Sequence, residues 1–319
     1  MSKPIVPVFF ATDDGYVKFL HVAIHSLVVN TTKNYQYNIH ILCNGMTEAN
    51  KKSFEVFNRE NIHVIVEDLS EEVQKRIHLM PGKHFGGEMT YFRAFIPRLF
   101  PQYDKAVYLD VDITINADIA EFYNVAMGDN YICGTMEFVT KNVPPFVDYV
   151  EKFVGVSADC YINAGIIVMN CKQLREIKFE ETFFDMFSKV ELHVDPDQCV
   201  LNFICRNDSV VLPNSDWNEQ PLAGRNRDLK DVKLVHYHFT SKPWMFDNIM
   251  YEELFWEHAK NTMFYQDILD FKKTVTEEVK DAAERKGEFL ALEAISLMAG
   301  PCLEERLAQA EATEEVVSG

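Results

Sequence analysis

Over its first two thirds the chain alternates short apolar runs of strand character with longer runs of helical period, and this alternation restricts the fold more than any other feature. Val6 to Ala11 is a compact apolar run, and Val17 to Asn30 carries Leu20, Ala23, Ile24, Leu27 and Val28 at helical spacing. Ile39 to Cys43 reads as a second strand, Thr47 to Glu60 as a helix with Thr47 as its N-cap, and Ile62 to Glu67 as a third strand. Successive strands separated by helices need crossover connections, so the order predicts an α/β fold with a mainly parallel sheet covered on both faces. Further strands are expected at Ala106 to Asp110, Tyr131 to Thr135, Ala164 to Asn170 and Lys233 to His238. Ligands of such sheets bind beyond the carboxyl ends of the strands.

After Trp244 the strand signal fades. Thr274 to Arg285 and Glu288 to Met298 read as helices separated by Gly287 and followed by the Gly300-Pro301 break, with an acidic, frayed end. The 319 residues exceed what one core usually serves, and the change of texture divides them into a main α/β unit at 1–247 and a C-terminal helical extension at 248–319. Phe289, Leu290, Leu292, Ile295, Leu297 and Met298 give that extension an apolar face to pack on the main unit or on a partner.

The charge balance excludes some function classes. With 31 Lys and Arg against 49 Asp and Glu, the net charge of −18 repels phosphate backbones and anionic lipid headgroups, so nucleic acid is not an expected partner. Docking of the acidic tail on a membrane surface is weak for the same reason. The seven cysteines are odd in number and form no CxxC pair, which suits a reduced compartment. No apolar run reaches the ~20 residues of a membrane span, and the expected location is the cytoplasm.

The segment AVYLDVDITI, residues 106–115, is the strongest candidate for chemistry. Asp110 and Asp112 stand one residue apart at a strand end, where two carboxylates can converge on one hard cation if the chain leaves regular extension. Hydrophobic-Asp-x-Asp-x-Thr is also the nucleophile motif of haloacid-dehalogenase-like phosphatases, in which Asp110 would attack phosphorus and Asp112 act as acid and base. Against that reading, about a hundred residues of α/β pattern precede the motif and no later Asp-Asp pair follows. The first strand ends in Ala11-Thr12-Asp13-Asp14-Gly15-Tyr16, where a carboxylate can accept from a base N–H and a tyrosine can stack on the ring. Either Asp of this run could instead cap the helix that follows.

Taken in order, ATDDGY at 11–16, TYFR at 90–93, YLDVD at 108–112, NAG at 163–165, DQ at 197–198 and HYHFTSKPW at 236–244 resemble the motifs of the family 8 glycosyltransferases. These are retaining enzymes of the GT-A fold, a Rossmann-like mixed but mainly parallel sheet flanked by helices, and include bacterial lipooligosaccharide galactosyltransferases and glycogenin. The resemblance implies that Asp110, Asp112 and His236 hold Mn2+, or Mg2+ in its place. It implies that Lys242 contacts phosphate, that Ala11, Asp13 and Tyr16 bind uracil, and that the Val111 backbone meets the ribose. Arg93 would touch donor sugar and phosphate, while Asn163, Gly165, Asp197 and Gln198 surround the sugar. Gly165 would let backbone approach the ligand closely. Trp244 is read as packing, and His238 as a core or acceptor-side residue.

The implied activity is metal-dependent transfer of galactose or glucose from a UDP-sugar to an acceptor hydroxyl with retention, the acceptor being a saccharide of cell-surface glycan synthesis. Gln198 is a poor nucleophile, which favours same-face displacement over a covalent intermediate. A catalytically silent UDP-sugar binder and a self-glucosylating primer are the remaining readings. Acceptor contacts are expected from loops at 82–87 and 212–226.

Overall fold

A computed structural model describes residues 3–80, 87–222, 225 and 227–318. The first crossover is β1 (Ile5–Ala11), α1 (Val17–Val29) and β2 (Gln36–Cys43), continued by α2 (Glu48–Ser53) and β3 (Ile62–Asp68). There follow β4 (Ala106–Leu109), β5 (Ile113–Ile115), β6 (Ile132–Met136), β7 (Ile162–Met169), α3 (Pro196–Cys205), β8 (Ser209–Leu212) and β9 (Leu234–His236). Seven strands form one sheet in the order β3-β2-β1-β4-β7-β6-β8. β7 runs antiparallel to both of its neighbours, and the other pairings are parallel. β1 is thus the switch point, with β2 on one side and β4 on the other. Because β7 is reversed, its N-terminal end meets the carboxyl ends of β1 and β4, and the three open onto one edge.

The uninterrupted apolar character of β1 follows from burial on both faces. Val6, Val8 and Phe10 point into the core shared with α1, while Phe9 and Ala11 point into the core on the opposite face. The strand expected at Lys233 to His238 is shorter and leaves the main sheet: Leu234–His236 pairs antiparallel with β5, with Ile113 opposite His236. The helix expected over Thr47 to Glu60 stops at Ser53 and tightens into a 3-10 turn over Phe54–Phe57. Thr47 makes no side-chain cap there, because its hydroxyl donates to Asp14 at 3.0 Å.

Four helices complete the described chain: α4 (Glu252–Ala259), α5 (Tyr265–Thr274), α6 (Glu277–Leu297) and α7 (Leu303–Ser318). Leu254, Phe255, Ala259 and Ile268 pack with Phe19 and Val22 of α1 around Trp244, which stacks on Phe19 at 4.3 Å. Gly287 does not separate two helices, since α6 runs through it. One glycine costs a helix only about 1 kcal/mol relative to alanine, and Leu290, Ala294 and Leu297 hold the helix on the main core. Of the apolar face expected there, Met298 also packs on that core, whereas Phe289, Leu292 and Ile295 are exposed.

Candidate active site

The chain breaks regular extension between β4 and β5, and this bend carries Asp110, Val111 and Asp112. The Asp110 N–H donates to the Gly165 carbonyl at 2.7 Å, which ties the motif to the start of β7. The Asp112 carbonyl accepts from Tyr237 N at 2.7 Å, which ties it to the end of β9. The β5–β9 ribbon therefore delivers His236 beside two carboxylates from more than a hundred residues earlier in the chain. One ligand atom from each of Asp110, Asp112 and His236 lies within 4.8 Å of the others.

Three neighbours shape this cluster. Nδ1 of His236 stands 3.1 Å from Asn218 Oδ1. A ring N–H donated there leaves Nε2, which is 3.2 Å from Asp112 Oδ1, as the nitrogen able to ligate a cation. Gly165 is a necessity of space: a Cβ at this position would lie 2.3 Å from Asp110 Oδ2 and 3.0 Å from His236 Cε1. The room a Cβ would need is taken by the side chains of Asp110 and His236, and the glycine also lines the cavity described below. Lys242 Nζ donates to Asp112 Oδ2. Burial pushes the Asp112 carboxyl up, but Lys242 and His236 outweigh it and hold the group well below the usual carboxylate range. Two carboxylates and one imidazole form a hard, oxygen-rich donor set, which fits a divalent cation that also binds phosphate oxygens.

Arg93 belongs to the 3-10 turn Gly87–Phe95 and is buried. Its Nη2 lies 3.3 Å from Asp110 Oδ1 and 3.2 Å from Asp197 Oδ2, Nη1 donates to the Ala164 carbonyl, and the guanidinium sits 4.4 Å from the Tyr108 ring centre. Its guanidinium thus braces the first carboxylate of the motif. Gln198 Oε1 accepts from Ala164 N at 2.9 Å, and Asn163 donates to Glu137 while accepting from Gly165 N at 3.1 Å. Burial raises the Asp197 carboxyl pKa against the pull of Arg93. The residues expected around a sugar thus hold one another and the β7 backbone.

A cavity of about 540 Å³ joins these groups. Ala11, Asp13 and Tyr16 line it together with Arg93, Asp110, Val111, Asp112, Asn163, Gly165, Asp197, Gln198, His236 and Lys242. Every site residue expected from the sequence reaches this one space. Asp13 Oδ1 accepts from Tyr16 N at 3.0 Å and turns the chain into α1. Asp14 faces away, accepting from Thr47 N at 3.1 Å and from the Asn50 side chain at 2.6 Å, and so ties the loop to the start of α2 rather than capping α1.

The sequence reading did not single out Asn218, nor Asp195 and Lys286, which also line the cavity. A ligating imidazole commonly donates its second N–H to an acceptor, but nothing in the linear sequence marks Asn218 as that acceptor. The 212–226 stretch, expected to meet the acceptor, instead supplies Asn218 to His236 and Gln220 to Glu137, and none of its described residues lines the cavity. Of the 82–87 loop only Gly87 lies within the described residues, and it lines the cavity.

The sequence model of glycosyl transferase family 8 matches residues 7–248. A putative glycosyltransferase of Haemophilus influenzae is 25% identical over 258 residues, covering 74% of this chain and 72% of that protein. The glycosyltransferase GlyE of Streptococcus pneumoniae is 20% identical across 97% of this chain and 73% of its own length. Among solved structures, the bifunctional glycosyltransferase WbbM superposes with a TM-score of 0.72 at 25% identity over 85% of this chain. This chain spans 52% of the WbbM chain, about half its length. The galactosyltransferase LgtC, solved with donor and acceptor sugar analogues, gives a TM-score of 0.65 at 24% identity, covering 86% of this chain and 98% of its own.

Proposed function

The chain belongs to glycosyltransferase family 8, and on that premise we propose that it transfers a hexose, galactose or glucose, from a UDP-sugar to a saccharide hydroxyl with retention at the anomeric carbon. Its fold is of the GT-A type, a fold that implies a nucleotide-sugar donor and an acceptor. That membership removes the phosphatase reading of LDVDIT, in which Asp110 is a nucleophile. The observation that carries the proposal is the convergence of Asp110, Asp112 and His236 beside Lys242, in a cavity that also reaches the end of β1.

In this reading Ala11 and Asp13 hold the uracil edge, Tyr16 stacks on the ring, and the Val111 backbone meets the ribose. Asp110, Asp112 and His236 hold Mn2+, with Mg2+ as the alternative, and a bound divalent cation supplies charge neutralisation at the diphosphate. Lys242 leaves Asp112 for the phosphate oxygens and stabilises charge that grows as the glycosidic bond breaks. Arg93 keeps Asp110 oriented, while Asn163, Gly165, Asp197 and Gln198 border the sugar. Gln198, already bonded to the Ala164 N–H, is a poor nucleophile, which supports same-face displacement assisted by the leaving phosphate.

Residues 1–247 form the catalytic unit of this proposal and 248–319 its helical extension. A cytoplasmic setting is part of this reading, and free thiols at all seven cysteines suit a reduced compartment; no helix among the described residues is long and apolar enough to cross a membrane. The acceptor is taken to be a saccharide of cell-surface glycan synthesis. A donor array of UDP-sugars with Mn2+, read by UDP release and product mass, tests the activity. Turnover of UDP-galactose or UDP-glucose is expected, with Asp112→Asn at least about a hundredfold slower, the scale of losing a charge-stabilising group. UDP binding with no turnover of any donor would establish the silent-binder reading instead, and hexose added to the chain itself the primer reading.

A further inference from the structure

A second set of groups lines the same cavity and has no part in the donor reading: Asp195, His238, Phe239, Met245 and Lys286. Asp195 stands at the N-cap of α3 in the left-handed region, with φ 39, yet its carboxylate makes no cap bond to the helix. An Asp there would ordinarily bind the first-turn N–H groups; this one lines both the cavity and a small recess of about 20 Å³ that it shares with Glu137 and His238. Burial, helped by Asp197 and Glu137, pushes its pKa up to about 7, and Lys286 opposes the shift. Lys286 comes from α6, beyond the family match that ends at residue 248. Burial brings its ammonium down to about 8 against the pull of Asp195. Phe239 is also left-handed, with φ 49, and half-buried, its ring edge-on to His238 at 4.0 Å.

A carboxylate that accepts, an ammonium that donates and a neighbouring aromatic ring are what a pyranose needs. Each sugar hydroxyl can donate and accept, and the C–H face of the ring covers apolar surface. The pair is neutral in sum and stands in a molecule of charge −18, which disfavours an anionic occupant. We propose that Asp195 and Lys286 form the acceptor subsite, taking a neutral pyranose through two of its hydroxyls with Phe239 beside its ring. Helix α6, outside the matched family region, is thereby part of the substrate site. The assignment rests on the donor reading above.

The test uses the full chain with Mn2+ and follows UDP release from UDP-galactose and UDP-glucose while methyl β-galactoside or methyl β-glucoside is titrated in. For the wild type, at least one glycoside changes the release rate saturably. In Asp195→Asn and Lys286→Met its half-saturating concentration rises by at least about tenfold, as loss of one charged hydrogen bond implies, while Lys286→Arg stays close to the wild type. Calorimetric affinity for UDP with Mn2+ is expected to be similar in all four proteins. Release that no glycoside alters, or half-saturation unchanged in the variants, would overturn the subsite. Loss of UDP affinity in Lys286→Met would overturn it too, by assigning that lysine to the diphosphate. A wild type that neither binds UDP nor releases it from any donor defeats the donor reading, and the subsite with it.

Discussion

At the scale of single residues, two positions show how little space decides. Gly165 lies in ordinary strand backbone, so alanine is allowed by conformation and refused only by the 2.3 Å approach to Asp110 Oδ2. Gly165→Ala is expected to keep the fold and weaken Mn2+ binding by at least about tenfold, or ~1.4 kcal/mol, when the metal is titrated calorimetrically in the presence of UDP. His21 is a buried histidine remote from the site, packed among Phe54, Phe57 and Phe264 with Nε2 2.9 Å from Ser53 Oγ. Burial brings its pKa down from 6.5 to about 4. Between those values the unfolded chain binds the proton and the native chain does not, so His21 contributes stability in full above pH 6.5 and loses it as pH falls to 4. Asp195, pushed up from 3.8 to about 7, works in the opposite sense across this whole window, so the sign is read as a difference. Urea denaturation of wild type and His21→Gln should show the wild type losing about 3 kcal/mol relative to the variant between pH 7.5 and 4.

At the scale of elements, the helices after residue 250 show where local reading fails. Gly287 looks like a boundary because glycine is the poorest ordinary helix former, yet α6 continues through it, tethered by Leu290, Ala294 and Leu297. A Cβ at Gly287 would meet nothing within 4 Å. Gly287→Ala is therefore expected to stabilise the chain by about 0.5–1 kcal/mol in chemical denaturation, chiefly by restricting the unfolded state. The strands were far more legible. A fully apolar run such as Val6 to Ala11 has only one comfortable place, between two covered layers, and β1 occupies it. The short strands β5 and β8 carry too few residues to declare a period, and both are defined by their partners, β9 and β6.

At the scale of the whole molecule, the charge of −18 opposes any anionic ligand, and a nucleoside diphosphate is one. Asp110 and Asp112 add to that field unless a cation sits between them, so nucleotide affinity should depend on the metal. In thermal unfolding, UDP with Mn2+ is expected to raise the melting temperature, and UDP with excess EDTA to leave it unchanged. An equal rise in EDTA would contradict the cation site. What the sequence determined by itself was the alternation that makes a covered parallel sheet, and the residues from Ala11 to Lys242 that resemble a donor site. Both are written in local order, as apolar periodicity or short motifs. Only the tertiary structure decided that Arg93 braces Asp110, that Asn218 orients His236, that Gly165 clears room for the carboxylate, and that Lys286 reaches the cavity from α6. Each of those pairs segments distant in the chain. Their proximity follows from the reversal of β7, the β5–β9 ribbon and the packing of α6 on the main core, which depend on the whole fold and leave no period or spacing in the sequence.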